Sequence, residues 1–150
     1  MLDTSRDVWD HDSFETAVSV AASLALASLR ESRPVSVTTT QEWLPSGSAM
    51  RLLDTLSEIK AGSGGELALR VREAVAERPG VSALTLVVGP KVSDVDAAHL
   101  ARLAPIDVPV SIIRIGGAEG RTRRDLGRGV LLDCSRLEDL PRIIVAGGLA

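Results

Sequence analysis

The chain opens with Leu2-Asp3-Thr4-Ser5-Arg6-Asp7, a pattern that predicts the end of a strand followed by a polar loop, Asp-x-Ser-x-Asp. Loops at the carboxyl edge of a parallel sheet can direct several oxygen ligands toward one point, and hard cations prefer oxygen ligands. Only two residues precede Asp3, so the sequence predicts a first strand that is cut short and a chain that is a fragment of a longer protein.

The rest of the chain alternates helical and strand patterns. A capping box at Asp12-Ser13-Phe14-Glu15 predicts the start of an Ala-rich helix that ends before Pro34. Further strands are predicted at 35–40, 83–88, 108–115 and 130–133. Strands that alternate with helices indicate an α/β domain, here a single one over residues 1–150. We therefore expect a mainly parallel sheet of about five strands with helices on both faces, a three-layer sandwich.

Composition excludes several classes of function. The formal net charge of −3 provides no positive field for nucleic acid or for an anionic membrane. Cys134 is the single cysteine, so no internal disulfide can form, which fits a reducing compartment and predicts a cytoplasmic location. The longest apolar run, 17–29, is interrupted by serines and is too short to span a bilayer. If the parent protein is anchored in a membrane, its anchor lies outside these residues.

The order of these parts resembles a von Willebrand factor A (vWA) domain, a Rossmann-like fold. More narrowly, it resembles the vWA-like domain of the bacterial domain-of-unknown-function 58 family. The resemblance covers nearly the whole chain and is carried by Leu2-Asp3-Thr4, by Phe14-Glu15 with the small residues that follow, by the 35–40 strand, and by Arg51-Leu52-Leu53-Asp54-Thr55-Leu56.

The resemblance implies a scaffold or adaptor that works with a protein partner, a MoxR-type AAA+ ATPase, and not an enzyme. It also implies a Mg²⁺ site built from Asp-x-Ser-x-Ser, a Thr and a distal Asp. Asp3 and Ser5 match the first motif, and Asp7 replaces its last Ser. No Thr stands at 63–66, and no Asp stands in Gly89-Pro90-Lys91, so the site is degenerate and we expect no tightly bound metal or other cofactor.

Two interpretations of Asp3, Ser5 and Asp7 remain open. Their oxygens can form a weak Mg²⁺ site. Alternatively, Asp3 and Ser5 accept hydrogen bonds from loop amides and stabilise the turn into the first helix.

Candidate partner-binding residues lie in loops on the same edge. Exposed tryptophans are favoured interface anchors, and a basic loop suits an acidic partner. The candidates are Trp9, Trp43, Arg121, Arg123 and Arg124. The alternatives are local packing for the tryptophans and a solvated loop for the arginines.

Three functions follow from these patterns. The first is a protein-interaction module that binds its partner through the carboxyl-edge loops. The alternative is a small α/β enzyme or ligand-binding domain with its site on the same edge, using Asp3, Asp7 or Lys91. The third is a structural domain whose ligand site has decayed. We also expect the shortened first strand to leave backbone groups of its neighbours unpaired, which favours self-association.

Overall fold

The computed structural model describes residues 1–10, 12–62, 64–117 and 123–149. It has an α/β architecture. The helices are α1 (Ser13–Arg30), α2 (Ala49–Glu58), α3 (Leu67–Glu77), α4 (Asp94–Ala101) and α5 (Leu140–Gly147), and the strands are β1 (Leu84–Val88), β2 (Val110–Ile115), β3 (Arg123–Asp125) and β4 (Val130–Cys134). Two 3₁₀ turns, Arg6–Val8 and Leu137–Asp139, complete the described elements.

The sheet has the order β1-β2-β4-β3. β1, β2 and β4 run parallel, and β3 pairs antiparallel with β4. The described sheet thus has four strands where the sequence predicts about five. One of the four, β3, lies within a stretch predicted to be a loop.

The two segments predicted as the first strands join this sheet through single bridges. Leu2 bridges Thr39 on one side and Val87 on the other, both in parallel. Its amide donates to the Thr38 carbonyl oxygen at 2.9 Å, and the Asp3 amide donates to that of Val87 at 2.9 Å. The start of the chain therefore lies between the 35–40 segment and β1. Trp43 extends the same edge by an antiparallel bridge to Thr38.

Two apolar clusters fill the layers on either side of the sheet. Alternate strand residues face each cluster: Val87, Ile113 and Leu132 pack with α1, α2 and α5, whereas Leu86, Ile112 and Leu131 pack with α3 and α4. The small residues Ala17, Ala21 and Ala25 of α1 are all buried, which lets this helix approach the sheet closely. Helices thus cover both faces, as expected.

The helix starts differ in part from the predicted caps. Ser93 and Asp96 form a capping box at the start of α4. Asp12 makes no side-chain capping bond at α1, where instead the Ser13 amide donates to Asp10 Oδ1 at 2.9 Å and the Asp10 amide donates to Ser13 Oγ at 3.3 Å. The predicted box is therefore absent, and Asp10 supplies an acceptor for the Ser13 amide at this helix start.

Candidate functional site

The candidate site lies at the carboxyl edge of the sheet, where the loops after Leu2, Thr39 and β1 meet. The loop after Leu2 is held by its backbone. The Arg6 amide donates to the Gly62 carbonyl oxygen at 2.9 Å, and the Gly62 amide donates to that of Thr4 at 2.9 Å. The hydroxyls of Thr4 and Thr40 lie 2.5 Å apart and are buried. These contacts fix the first loop against the second loop, through Thr40, and against the segment between α2 and α3, through Gly62.

Asp3 is buried beneath this edge. It is 1% exposed, and its Oδ1 accepts a hydrogen bond from the Ser5 amide at 2.9 Å. Burial raises the pKa of the Asp3 carboxyl, while hydrogen bonds from Ser5 act in the opposite direction. Asp3 thus acts as an acceptor for its own loop, which supports the second of the two interpretations.

Ser5 and Asp7 do not complete a compact ligand set with Asp3. The Ser5 hydroxyl donates to the Gly65 carbonyl oxygen at 3.4 Å. Asp7 is exposed on the 3₁₀ turn. Among the described residues, no three His, Cys, Asp or Glu side chains are placed to hold one metal ion. This donor set does not fit the octahedral oxygen shell that Mg²⁺ requires, so we assign no chemistry to a metal here.

The third loop leaves no room for a side chain where the resemblance calls for an Asp. A Cβ built on Gly89 would lie 2.1 Å from the Val8 carbonyl oxygen. The backbone of the first loop therefore occupies this position, and the absence of an acidic residue follows from close packing of the two loops.

Lys91 is exposed. Hydrogen bonds from Ser13 are the main cause of the lowered pKa of Asp10, and the Lys91 charge adds to it.

Trp9 is part of the core. It is 6% exposed, its Nε1 donates to the Asp3 carbonyl oxygen at 3.0 Å, and its ring meets that of Phe14 edge-on at 5.3 Å between centroids. The buried ring and its contacts support the local-packing alternative for Trp9 over its interpretation as an interface anchor. The loop folds inward because the indole finds both an apolar ring and a hydrogen-bond acceptor there.

Trp43, which pairs with Thr38 at the edge of the sheet, also contacts α3. Its Nε1 donates to Glu77 Oε2, and the guanidinium carbons of Arg70 and Arg78 lie 5.1 and 4.8 Å from its ring centroid. Arg70 is itself buried and donates to Thr38 Oγ1 from Nε and Nη2 at 3.1 and 3.0 Å. These contacts support local packing, although the ring remains half-buried.

The arginine candidates have different environments. Arg121 lies outside the described residues. Arg123 is exposed at the start of β3. Arg124 pairs within the chain: its Nη2 donates to Asp133 Oδ2, and its Nε lies 3.4 Å from Asp94 Oδ2. Arg124 is therefore an internal ion-pair residue, and Arg123 is the described member of this group that remains open to a partner.

Arg124 belongs to a charged cluster that the sequence analysis did not identify. Arg114 of β2 is buried, and its Nε and Nη2 donate to the two carboxylate oxygens of Asp133 at 2.7 and 3.2 Å. Its Nη1 donates to Asp94 Oδ1 and to the Val92 carbonyl oxygen, each at 2.9 Å. Burial alone would lower the pKa of the Arg114 guanidinium, but the hydrogen bonds and charges of Asp133 and Asp94 raise it overall. The sequence contains a signal for this cluster, since Arg114 and Asp133 are each the charged residue of an otherwise uncharged strand.

The environment of Cys134 does not favour a reactive thiol. Cys134 is buried, and its thiol donates to the Arg136 carbonyl oxygen at 3.2 Å. Burial, followed by the charge of Asp139, raises its pKa to about 11, which keeps the thiol protonated and unreactive. His99 lies on α4, and His11 lies outside the described residues.

Comparison with known proteins provides no relative from which to transfer a function. Neither the protein-family models, nor the curated proteins, nor the solved structures give a significant match to this chain. Within the described residues, no helix has the length and apolar character needed to cross a membrane.

Proposed function

We propose that this domain is a protein-interaction or scaffold module of the vWA type, and that its carboxyl-edge loops bind a protein partner. The observation that carries the proposal is the way the loops are locked together. Ser5 bridges Gly62, Gly89 packs on Val8, and the Thr4 and Thr40 hydroxyls pair. Such a preorganised edge loses little conformational entropy when a partner docks.

The position of the first segment supports the vWA-like assignment. Leu2 lies between Thr39 and Val87, and Trp43 pairs antiparallel at the outer edge. A central first strand flanked by these two segments is what the resemblance implies. The proposed partner is the MoxR-type AAA+ ATPase that the resemblance suggests.

The exposed charges at this edge would set the specificity. Arg6, Asp7 and Lys91 are exposed, whereas Asp3 is buried beneath them. An enzyme site made of Asp3, Asp7 and Lys91 would need all three to line one cavity, and the burial of Asp3 gives that alternative no support. The proposal therefore rests on surface recognition by complementary charge.

The test is binding of the purified ATPase encoded by the same genome, measured by calorimetry. We expect the double variant Arg6→Glu/Lys91→Glu to weaken binding about tenfold or more, because both charges lie on the proposed contact surface. The matched control is Arg72→Glu, which reverses an exposed charge on α3 and should leave the affinity unchanged.

A photo-crosslinker locates the contact independently. Placed at Asp7, it should capture the ATPase; placed at Ile106, which is 88% exposed elsewhere on the chain, it should not. Equal capture from both positions, or no measurable affinity, would reject the proposal. Capture of a second copy of this chain would show that the partner at this edge is another copy of the chain and not the ATPase.

A further inference from the structure

An open depression of about 480 Å³ lies at the opposite, amino edge of the sheet. It is formed where β2 and β4 begin, and its lining includes Ile106, Val108, Val110 and Val130. Its volume is within the usual range for small-ligand sites. It shares no residue with the loops proposed above to bind a protein partner, so its function would be separate.

The turn between β3 and β4 shapes one side of this depression. The Leu126 amide donates to the Gly129 carbonyl oxygen at 2.9 Å, which closes the turn. Gly129 has a φ of +144°, and a Cβ on it would lie 2.6 Å from the Val110 carbonyl oxygen. Only glycine permits this approach, so the turn is pressed against the start of β2 and Arg128 is held beside the apolar lining.

Arg128 provides the one cationic side chain of the lining. Its Nη2 donates to the Ala104 carbonyl oxygen at 3.2 Å. Among the described residues, no carboxylate forms an ion pair with it, in contrast to Arg114 and Arg124, which are both paired with acids. Its guanidinium therefore retains donors suited to an oxyanion.

Two further residues point to an amphipathic ligand. Ser111 is a polar residue of the lining and is 7% exposed. Ile106 is 88% exposed at the rim, where an apolar chain of a ligand would cover it.

We propose that this amino-edge depression binds a small monocarboxylate with a short aliphatic chain. The carboxylate pairs with Arg128, and the chain lies against Ile106 and Val108. A single guanidinium matches a single negative charge and the planar geometry of a carboxylate.

The test is titration of the ¹⁵N-labelled protein with octanoate, followed by amide chemical shifts. We expect saturable shifts concentrated at residues 106–111 and 127–130. Acetate, which lacks the chain, and octylammonium, which reverses the charge, should each bind about tenfold more weakly or not at all. No saturable shift with octanoate, or equal shifts with octylammonium, would overturn the proposal.

Two variants test separately the contact with the carboxylate of the ligand and the contact with its aliphatic chain. Arg128→Gln should weaken octanoate binding about tenfold, whereas the control Arg72→Gln should not change it. Because Arg128 also bonds to Ala104, Ile106→Ser provides a second test at an exposed position with no role in the core. It should weaken octanoate binding about threefold and leave acetate binding unchanged. Unchanged octanoate affinity in either variant would refute the assigned site.

Discussion

At the scale of single residues, Asp3 shows how burial turns a potential metal ligand into a structural acceptor. Its carboxylate lies out of water and is bonded to the Ser5 amide. Because burial raises its pKa above the ordinary value of 3.8, the folded protein holds this proton to a higher pH than the unfolded chain does. The free energy of unfolding that Asp3 contributes therefore falls as the pH rises through that window.

Asp3→Asn keeps an acceptor for the Ser5 amide and removes the titration. We expect this variant to gain stability relative to the unchanged protein as the pH rises from about 3 to about 7. Urea denaturation across that range measures the difference. Asp7→Asn, at an exposed position of the same loop, is the control for the loss of one negative charge from this loop. If the free energy of unfolding of the unchanged protein instead rose relative to that of Asp3→Asn toward neutral pH, this account would be contradicted.

Asp133 is the residue on which the buried charge cluster depends. Asp133→Leu leaves Arg114 without its bidentate partner and removes an acceptor of Arg124, so we expect it to cost about 3 to 5 kcal/mol in the free energy of unfolding. Asp94→Leu removes a carboxylate whose side chain is 51% exposed and should cost about 1 kcal/mol or less. Chemical denaturation of both variants gives the comparison, and similar losses would show that the cluster is not governed by burial.

At the scale of elements, the contact between the first and third loops determines the shape of the carboxyl edge. Gly89→Ala would place a methyl group 2.1 Å from the Val8 carbonyl oxygen, so one of the two backbones must move. We expect a loss of about 1 to 3 kcal/mol, typical of overpacking, measured by urea denaturation. Gly80→Ala, where a Cβ would meet nothing within 4 Å, is the control and should be neutral or slightly stabilising. Equal effects would mean that the loops are not in tight contact.

An element can be predicted when its own residues determine its structure, and it is missed when contacts with distant residues determine it. β1, β2 and β4 were predicted because each is mainly apolar, as expected of a strand covered on both faces. β3 was missed because Arg123-Arg124-Asp125 carries no apolar pattern and is a strand only through its pairing with β4. Trp9 was misplaced for a similar reason, since its inward position depends on Phe14 and on the Asp3 carbonyl oxygen. Arg114 and Asp133 stand 19 residues apart in sequence, and only the parallel register brings them together.

At the scale of the whole molecule, the labelling rate of the Cys134 thiol measures how often the folded protein opens. It lies in the cluster that joins β4 to α1 and α5, and its pKa is raised to about 11. We expect thiol reagents at about pH 8 to label it only when the protein opens globally, at a rate that follows the free energy of unfolding measured in urea. In a Cys134→Ala background, Ser135→Cys places a thiol at an exposed neighbouring position and should react at once. Rapid labelling of native Cys134 would reveal local opening of this cluster.

The position of Leu2 between Thr39 and Val87 has a consequence for how the chain folds during its synthesis. One of its two neighbours is made 37 positions later and the other 85 positions later, by the difference of these residue numbers. The segment around Leu2 is therefore fixed late, although it is made before both of its neighbours, and it waits unpaired until β1 has emerged. During that interval the nascent chain presents an open docking edge, and this is the stage at which a holding chaperone would have the greatest effect on yield.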